Sequence, residues 1–193
     1  MSVALSTSNA SRDRRVAAMP LRDLMEFHVA VQLDELAIHR SDLQARLVDR
    51  FVEETIRALR FSRGILAELS VRYRLGVVSN FYGNVGRILQ DAGFGPLLSA
   101  VVDSTLVGLS KPDPAIYSLA VRELGTTAAR TMHVGDSYER DVCAARDAGL
   151  RTAWLLGERS QRIDDGHCLA DLRLRSLDEL AAALELPGAR AVS

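Results

Sequence analysis

Two aspartates follow an apolar stretch at a spacing that suits a divalent cation. The stretch Thr131–Val134 leads into Gly135 and Asp136, and Asp141 follows shortly afterwards. The apolar residues are typical of a buried strand, which would place Asp136 at its carboxyl end and Asp141 at the start of the next helix. Carboxylate oxygens are the ligands that Mg²⁺ prefers. Asp136 and Asp141 are therefore the predicted metal ligands, with a helix cap and a surface ion pair as the alternative reading.

Two further polar segments carry groups that bind phosphate, and each also follows an apolar run. Ser79 and Asn80 come directly after Leu75–Val78, and a hydroxyl with backbone N–H groups at a strand end can hold a phosphate oxygen. Lys111 lies in the stiff, proline-flanked loop Ser110–Pro114, where its ammonium could neutralise a phosphoryl oxygen. An ordinary turn and an exposed loop lysine are the alternatives. Because every segment follows a strand, we expect them to form one site.

The elements that would position these side chains alternate between strand and helix after Tyr73. Short apolar runs lie at about 75–78, 100–102, 130–134 and 152–156, with helical segments at about 83–92, 114–124, 139–148 and 176–184. This alternation is typical of an α/β fold with a Rossmann-like, doubly wound and mainly parallel sheet. Function in such sheets gathers at the carboxyl ends of the strands, which is where all the candidate residues lie.

The N-terminal part of the chain has a different texture. Apolar residues recur at helical spacing over about 21–38, 41–59 and 62–71. We therefore expect an N-terminal segment over residues 1–19 of uncertain structure, a short helical cap over 20–61 and the Rossmann-like core over 62–193.

The composition and net charge of the chain argue against some classes of binding partner. The chain has 193 residues, 48% of them hydrophobic, and a formal net charge of −1, so we expect neither a nucleic acid nor a membrane as partner. It holds two cysteines without a metal-ligand pattern and has no apolar run long enough to span a bilayer. These features favour reduced thiols and a cytoplasmic location.

At this point three segments resemble the second, third and fourth motifs of the haloacid dehalogenase-like hydrolases. They are Gly76–Asn80, Ser110–Tyr117 and His133–Asp141. The resemblance covers about residues 62–186 and implies a phosphatase lineage that uses Mg²⁺ and acts on a small phosphorylated molecule. It also implies that the helical cap closes over the site and selects the substrate.

The resemblance assigns a role to each candidate residue. Ser79 and Lys111, with the adjoining Asn80, would hold the phosphoryl group. Asp136 would bind Mg²⁺, and Asp141 would complete or support the metal site.

The first motif of that family, Asp-x-Asp after the opening strand, has no match in this chain. Its first aspartate attacks phosphorus and its second acts as general acid and base. In one explanation Val3–Asn9 is a degenerate copy in which Ser6 and Ser8 replace the two carboxylates. In another, the motif lies outside this chain. In a third, Asp13 or Asp34 replaces it, although Asp13 lacks a preceding strand and Asp34 lies in a predicted helix.

The missing strand has a structural consequence as well. In the family it lies in the middle of the sheet, so its loss would leave two neighbouring strands with unpaired backbone groups. A substitute would be needed, either from residues 2–6, from a partner chain or by rearrangement.

These considerations predict a partial Mg²⁺ and phosphate site that hydrolyses phosphate esters poorly or not at all. The alternatives are a non-catalytic phosphate-binding or scaffold protein, and an active phosphatase whose Asp-x-Asp comes from outside the chain. A weak first strand would also favour a homo-oligomer.

Overall fold

Five short parallel strands and the helices between them form an α/β fold, as the alternation predicts. The computed structural model describes residues 16–156 and 169–184. The strands are β1 (Leu75–Ser79), β2 (Leu98–Asp103), β3 (Met132–Gly135), β4 (Arg151–Leu155) and β5 (Leu172–Leu174). The first four lie where apolar runs predicted them, whereas β5 was not predicted because three residues give too short a pattern.

The helices are α1 (Leu21–Glu35), α2 (Ser41–Ser70), α3 (Val85–Asp91), α4 (Ser104–Val107), α5 (Pro114–Glu123), α6 (Ala144–Asp147) and α7 (Asp178–Ala183). The helices after Tyr73 follow the predicted order, with one additional short helix, α4, that the sequence did not predict. A π-helical turn, Tyr138–Cys143, leads directly into α6. Within the described part of the chain, no helix is both long and apolar enough to cross a bilayer.

The predicted helix break near Ser62 is wrong, because α2 continues without interruption for 30 residues. Its last turns carry Ile65, Leu66 and Leu69, which pack against the sheet core, and Leu69 is 2% exposed. This packing stabilises the helix beyond the point where local signals suggest an end. The helix therefore passes through the boundary predicted between cap and core at residues 61 and 62.

The strands form two separate half-sheets. In one, β1 pairs with β2; in the other, β4 lies between β3 and β5, and all these pairs are parallel. Among the described residues, β1 and β3 therefore each have one edge without a strand partner.

Helices pack on both half-sheets and form distinct clusters. Ile116, Tyr117 and Ala145 belong to the cluster between α5, α6 and β2. The N-terminal helices have their own cluster, in which Leu24 is fully buried and packs near Ile88 of α3. The helical N-terminal region is therefore anchored beside the loop that follows β1, at the carboxyl edge of the sheet.

Candidate functional site

A carboxamide clamp joins the end of β1 to the loop that carries Lys111. The Asn80 side chain donates from Nδ2 to the carbonyl oxygen of Lys111 at 2.9 Å, and its Oδ1 accepts from the Lys111 N–H at 2.8 Å. The oxygen and the nitrogen of the Asn80 carboxamide thus both bind the backbone of one residue, Lys111. The Asn80 side chain therefore positions Lys111.

Lys111 forms an ion pair across the site with Asp141. The distance from Nζ to Oδ1 is 2.6 Å, and the side chains are 15% and 4% exposed. Lys111 is also the only lysine in the sequence. An ammonium has three donors, so this pairing leaves donors on an accessible part of the side chain that could meet a phosphoryl oxygen.

Asp141 is held in its buried position by two further donors. Its Oδ1 lies 3.1 Å from His133 Nε2, and its Oδ2 accepts from the Ser137 N–H at 3.0 Å. Burial by itself raises the pKa of Asp141, but hydrogen bonds from His133, Lys111 and Ser137 together outweigh burial and hold that pKa well below its usual range. The carboxylate is therefore charged at neutral pH.

Tyr117 packs behind this charged cluster. Its ring meets His133 edge-on at a centroid distance of 4.8 Å, and its hydroxyl donates to the carbonyl oxygen of Arg140. Burial raises the pKa of Tyr117, and the nearby negative charge of Asp141 raises it further. The phenol therefore stays protonated and fixes the orientation of the imidazole that contacts Asp141.

Gly135 and the π-helical turn bring Asp141 against β3. A Cβ at Gly135 would lie 2.4 Å from Cγ of Asp141, so no residue with a side chain fits there without displacing the carboxylate. The Ser137 carbonyl oxygen accepts from the Asp141 N–H at 2.8 Å and from the Val142 N–H at 3.3 Å, which widens the turn. Such π-helical turns are common at functional sites.

Asp136 has a different environment. Its backbone carbonyl oxygen accepts from Trp154 Nε1 at 3.1 Å, which fixes the end of β3. Its side chain is exposed, and none of the described residues donates a hydrogen bond to its carboxylate. Of the two predicted metal ligands, Asp136 is thus the one whose oxygens are free to meet a ligand.

The described residues fit a Mg²⁺ ion whose ligands come mainly from water and phosphate oxygens and only in small part from the protein. They contain no cluster of three or more His, Cys, Asp or Glu side chains able to hold a metal. Asp141 is committed to Lys111, His133 and Ser137, so Asp136 is the available carboxylate. Mg²⁺ is often bound through one or two carboxylates, with water and phosphate oxygens completing its shell. The donor set is compatible with that mode and not with an all-protein cage.

Asp103 is a structural residue of the site that sequence reasoning missed. It is 2% exposed, and its carboxylate accepts from the N–H groups of Gly83, Val85 and Thr105 at 3.0–3.2 Å. These bonds fix the loop that follows Asn80. The sequence did contain a signal for Asp103, because this residue directly follows the apolar run of β2. Asp136 was found from the same kind of position after the apolar run of β3.

The structure joins the predicted residues through a chain of contacts, from Asn80 to Lys111 and from Lys111 to Asp141, with Ser79 and Asp136 at the adjoining strand ends. Ser6, Ser8 and Asp13 lie outside the described residues. Asp34 lies exposed in α1, as its helical pattern predicted. His133 was not singled out, because its contact with Asp141 crosses from strand to helix.

Comparison with known proteins gives a consistent result. The model of the haloacid dehalogenase-like hydrolase family matches residues 9–149. Haloacid dehalogenase-like hydrolase domain-containing protein 3 of Danio rerio is 37% identical over 110 residues, which are 57% of this chain and 45% of that protein. Phosphoserine phosphatase of Thermus thermophilus is 36% identical over 95 residues, covering 49% and 37% respectively. The chain thus spans less than half the length of these relatives.

One solved structure with a similar fold is that of the HAD-hydrolase YfnB from Bacillus subtilis. It superposes with a TM-score of 0.58 over 95% of this chain and 86% of that one, at 16% identity. The likeness confirms the Rossmann-like architecture with a helical N-terminal region.

Replacement of Gly135 by alanine tests the close approach of Asp141. We expect Gly135→Ala to lower the free energy of unfolding by about 2 kcal/mol or more, because the added methyl displaces a buried, paired carboxylate. The matched control is Gly64→Ala in α2, where a Cβ would meet nothing within 4 Å. The control should gain about 0.5–1 kcal/mol. Equal effects in urea unfolding would contradict this account.

The low pKa of Asp141 predicts a specific loss of stability in acid. Because the pKa is lower in the folded state, the stabilisation is complete above the unfolded value of about 3.9 and disappears as the pH falls through the folded value. The free energy of unfolding should therefore fall more steeply below about pH 5 in the natural chain than in Asp141→Asn. Parallel curves in urea unfolding at a series of pH values would show that Asp141 has no such role.

Proposed function

The chain belongs to the haloacid dehalogenase-like hydrolases, and we propose that its site binds a phosphorylated small molecule but hydrolyses phosphate esters poorly or not at all. The observation that carries this proposal is the paired Lys111, fixed by Asn80 and Asp141 beside an unengaged Asp136. Among the described residues, the Asp141 carboxylate is engaged by Lys111, His133 and Ser137, so it is not available as a nucleophile.

Phosphate binding would use donors that no other described residue engages. The Ser79 hydroxyl, at the end of β1, makes no hydrogen bond to another described residue. The Lys111 ammonium keeps donors beyond the one that Asp141 accepts. A phosphoryl group has several acceptor oxygens, and charge-assisted hydrogen bonds to it are the strong ones. Ser79 and Lys111 would therefore orient the phosphoryl group at the carboxyl edge of the strands.

Mg²⁺ would be held by Asp136 together with phosphoryl oxygens of the ligand. When bound, the ion would supply neutralisation of the phosphoryl negative charge. The YfnB structure, which has a similar fold, is bound to magnesium, and one relative in sequence is a phosphoserine phosphatase. Asp141 would support the site indirectly, because it holds Lys111 in place and not because it contacts the metal.

The proposed poor hydrolysis follows from the nucleophile of the site. The family resemblance implies that an aspartate attacks phosphorus, and in the degenerate register Ser6 and Ser8 replace both catalytic aspartates. A serine hydroxyl is a poor nucleophile unless a general base lies beside it. Without the second aspartate the leaving group also receives no proton. Binding would thus survive where turnover is lost.

A second candidate function is an active Mg²⁺-dependent phosphatase that receives its Asp-x-Asp from outside this chain. The short span of the chain relative to its curated relatives favours this candidate. This phosphatase would use the same Ser79, Lys111 and Asp136 as the binding protein proposed above. A search for an in-frame Asp-x-Asp directly upstream in the gene distinguishes the two candidate functions.

Titration calorimetry with inorganic phosphate in the presence of Mg²⁺ tests the proposed function. The natural chain should bind, and Lys111→Met should weaken binding by roughly 10- to 100-fold, since a hydrogen bond to a charged group contributes about 1.5–3 kcal/mol. Arg50→Met is the charge-matched control, because Arg50 is exposed and pairs only with Glu54 among the described residues. The control should bind like the natural chain. No binding by the natural chain would favour a scaffold.

A further inference from the structure

The peptide group that follows Asp136 is held at both of its polar ends by side chains from other parts of the fold. Its carbonyl oxygen accepts a hydrogen bond from Trp154 Nε1 at 3.1 Å. Its N–H, which belongs to Ser137, donates to Asp141 Oδ2 at 3.0 Å. A peptide group is planar, so two held ends define its orientation. Trp154 and Asp141 thus form a clamp on one peptide group, which we call the peptide clamp.

The peptide clamp sets the direction in which the Asp136 side chain leaves the backbone. On the amino side of Asp136 lies Gly135, the last residue of β3, which pairs with Trp154 of β4 in the parallel ladder. On its carboxyl side lies the clamped peptide group. The Asp136 side chain is exposed, and none of the described residues donates a hydrogen bond to its carboxylate. Within the described chain, the backbone is therefore what orients this carboxylate.

Trp154 is itself held firmly enough to serve as one side of the clamp. Its side chain belongs to a residue that is 6% exposed, and its ring contacts the Tyr138 ring at a centroid distance of 5.0 Å. The guanidinium carbon of Arg173, the residue opposite Trp154 on β5, lies 5.9 Å from the centroid of the indole, within the range of a cation–π contact. Trp154 therefore supports the segment 136–138 at two points, the Asp136 carbonyl oxygen and the Tyr138 ring.

We propose that Trp154 is a positioning residue for Mg²⁺, because its indole N–H holds the Asp136 carboxylate, through the peptide clamp, in the orientation that meets the ion. Groups that orient a metal ligand from behind contribute to metal affinity although they do not touch the metal. A ligand that is already oriented also loses less conformational entropy on binding. This inference rests on the proposed function, since it takes Asp136 as the protein ligand of Mg²⁺.

Two different side chains would then support the two halves of the site. Asn80 fixes the backbone of Lys111, which would meet the phosphoryl group, and Trp154 fixes the backbone of Asp136, which would meet Mg²⁺. Loss of the Trp154 donor should therefore reduce what Mg²⁺ adds to ligand binding and spare the phosphate contact of Lys111. A role of Trp154 in stability alone would affect both halves alike.

Titration calorimetry with inorganic phosphate, with and without Mg²⁺, separates these contributions. The quantity compared is the Mg²⁺ enhancement, defined as the phosphate affinity with Mg²⁺ divided by the affinity without it. Trp154→Phe retains an aromatic ring and removes the N–H donor. It should lower the Mg²⁺ enhancement by roughly 3- to 10-fold, the effect of losing one ordinary hydrogen bond. The affinity for phosphate alone should stay unchanged.

Thr152→Val is the matched control, because it also removes a buried donor from β4. Thr152 is 0% exposed, and its Oγ1 donates to Asp171 Oδ2 at 3.4 Å and not to the segment around Asp136. The control should keep the Mg²⁺ enhancement of the natural chain. Urea unfolding of both variants verifies that each is folded at the temperature of the titration.

Every result of this comparison decides the proposal. A lower Mg²⁺ enhancement in Trp154→Phe alone, with unchanged affinity for phosphate alone, supports it. An unchanged enhancement, or an equal loss with and without Mg²⁺, overturns the role of Trp154 while the proposed function stands. A natural chain that binds phosphate equally well with and without Mg²⁺ also overturns it. No phosphate binding by the natural chain overturns the proposed function and this inference together.

Substitutions of Tyr138 give a second test that does not require Trp154→Phe to fold. Tyr138→Leu removes the ring that packs on Trp154, whereas Tyr138→Phe retains that ring. Tyr138→Leu should lower the Mg²⁺ enhancement several-fold, and Tyr138→Phe should restore most of it. An enhancement equal to that of the natural chain in Tyr138→Leu would overturn the proposal.

Discussion

A buried negative charge on Asp141 is the constraint on which the site depends. Leaving such a charge unpaired costs about 3–5 kcal/mol, a large share of the 5–15 kcal/mol that stabilises a typical domain. Lys111, His133 and the Ser137 N–H together meet this requirement. Lys111 can do so only because the Asn80 side chain fixes the backbone of its loop. The ends of three strands are therefore tied together by the need to satisfy one carboxylate.

The same arrangement explains why one aspartate is structural and its neighbour is free. Asp141 lies against Gly135, where no Cβ obstructs it, and its oxygens are taken up by protein donors. Asp136 precedes the π-helical turn and faces solvent, with only its backbone engaged by Trp154. A ligand that brings negative oxygens would meet the free donors of Lys111 and, through a cation, the carboxylate of Asp136. Asp141 thus supports the site and Asp136 is free to contact a ligand, although the sequence predicted both as metal ligands.

Much of the fold could be predicted because parallel strands buried on both faces appear as uninterrupted apolar runs, which is why the first four strands were found. The site followed, since polar residues directly after such runs must meet at one edge. Two contacts could not be predicted. The Asn80 side chain binds the backbone of Lys111, 31 residues further along the chain, and His133 contacts Asp141. Those contacts depend on side-chain direction in three dimensions. The continuous α2 was missed because tertiary packing at Leu69 outweighs local propensity.

The proposed function is phosphate binding with little or no hydrolysis. It is tested most directly by Mg²⁺-dependent hydrolysis of a generic aryl phosphate by this chain, measured beside Asp136→Asn. The account predicts that neither protein turns over the ester above the rate of buffer alone. Turnover by the natural chain that Asp136→Asn abolishes would contradict it, because a nucleophile would then have to act at this site.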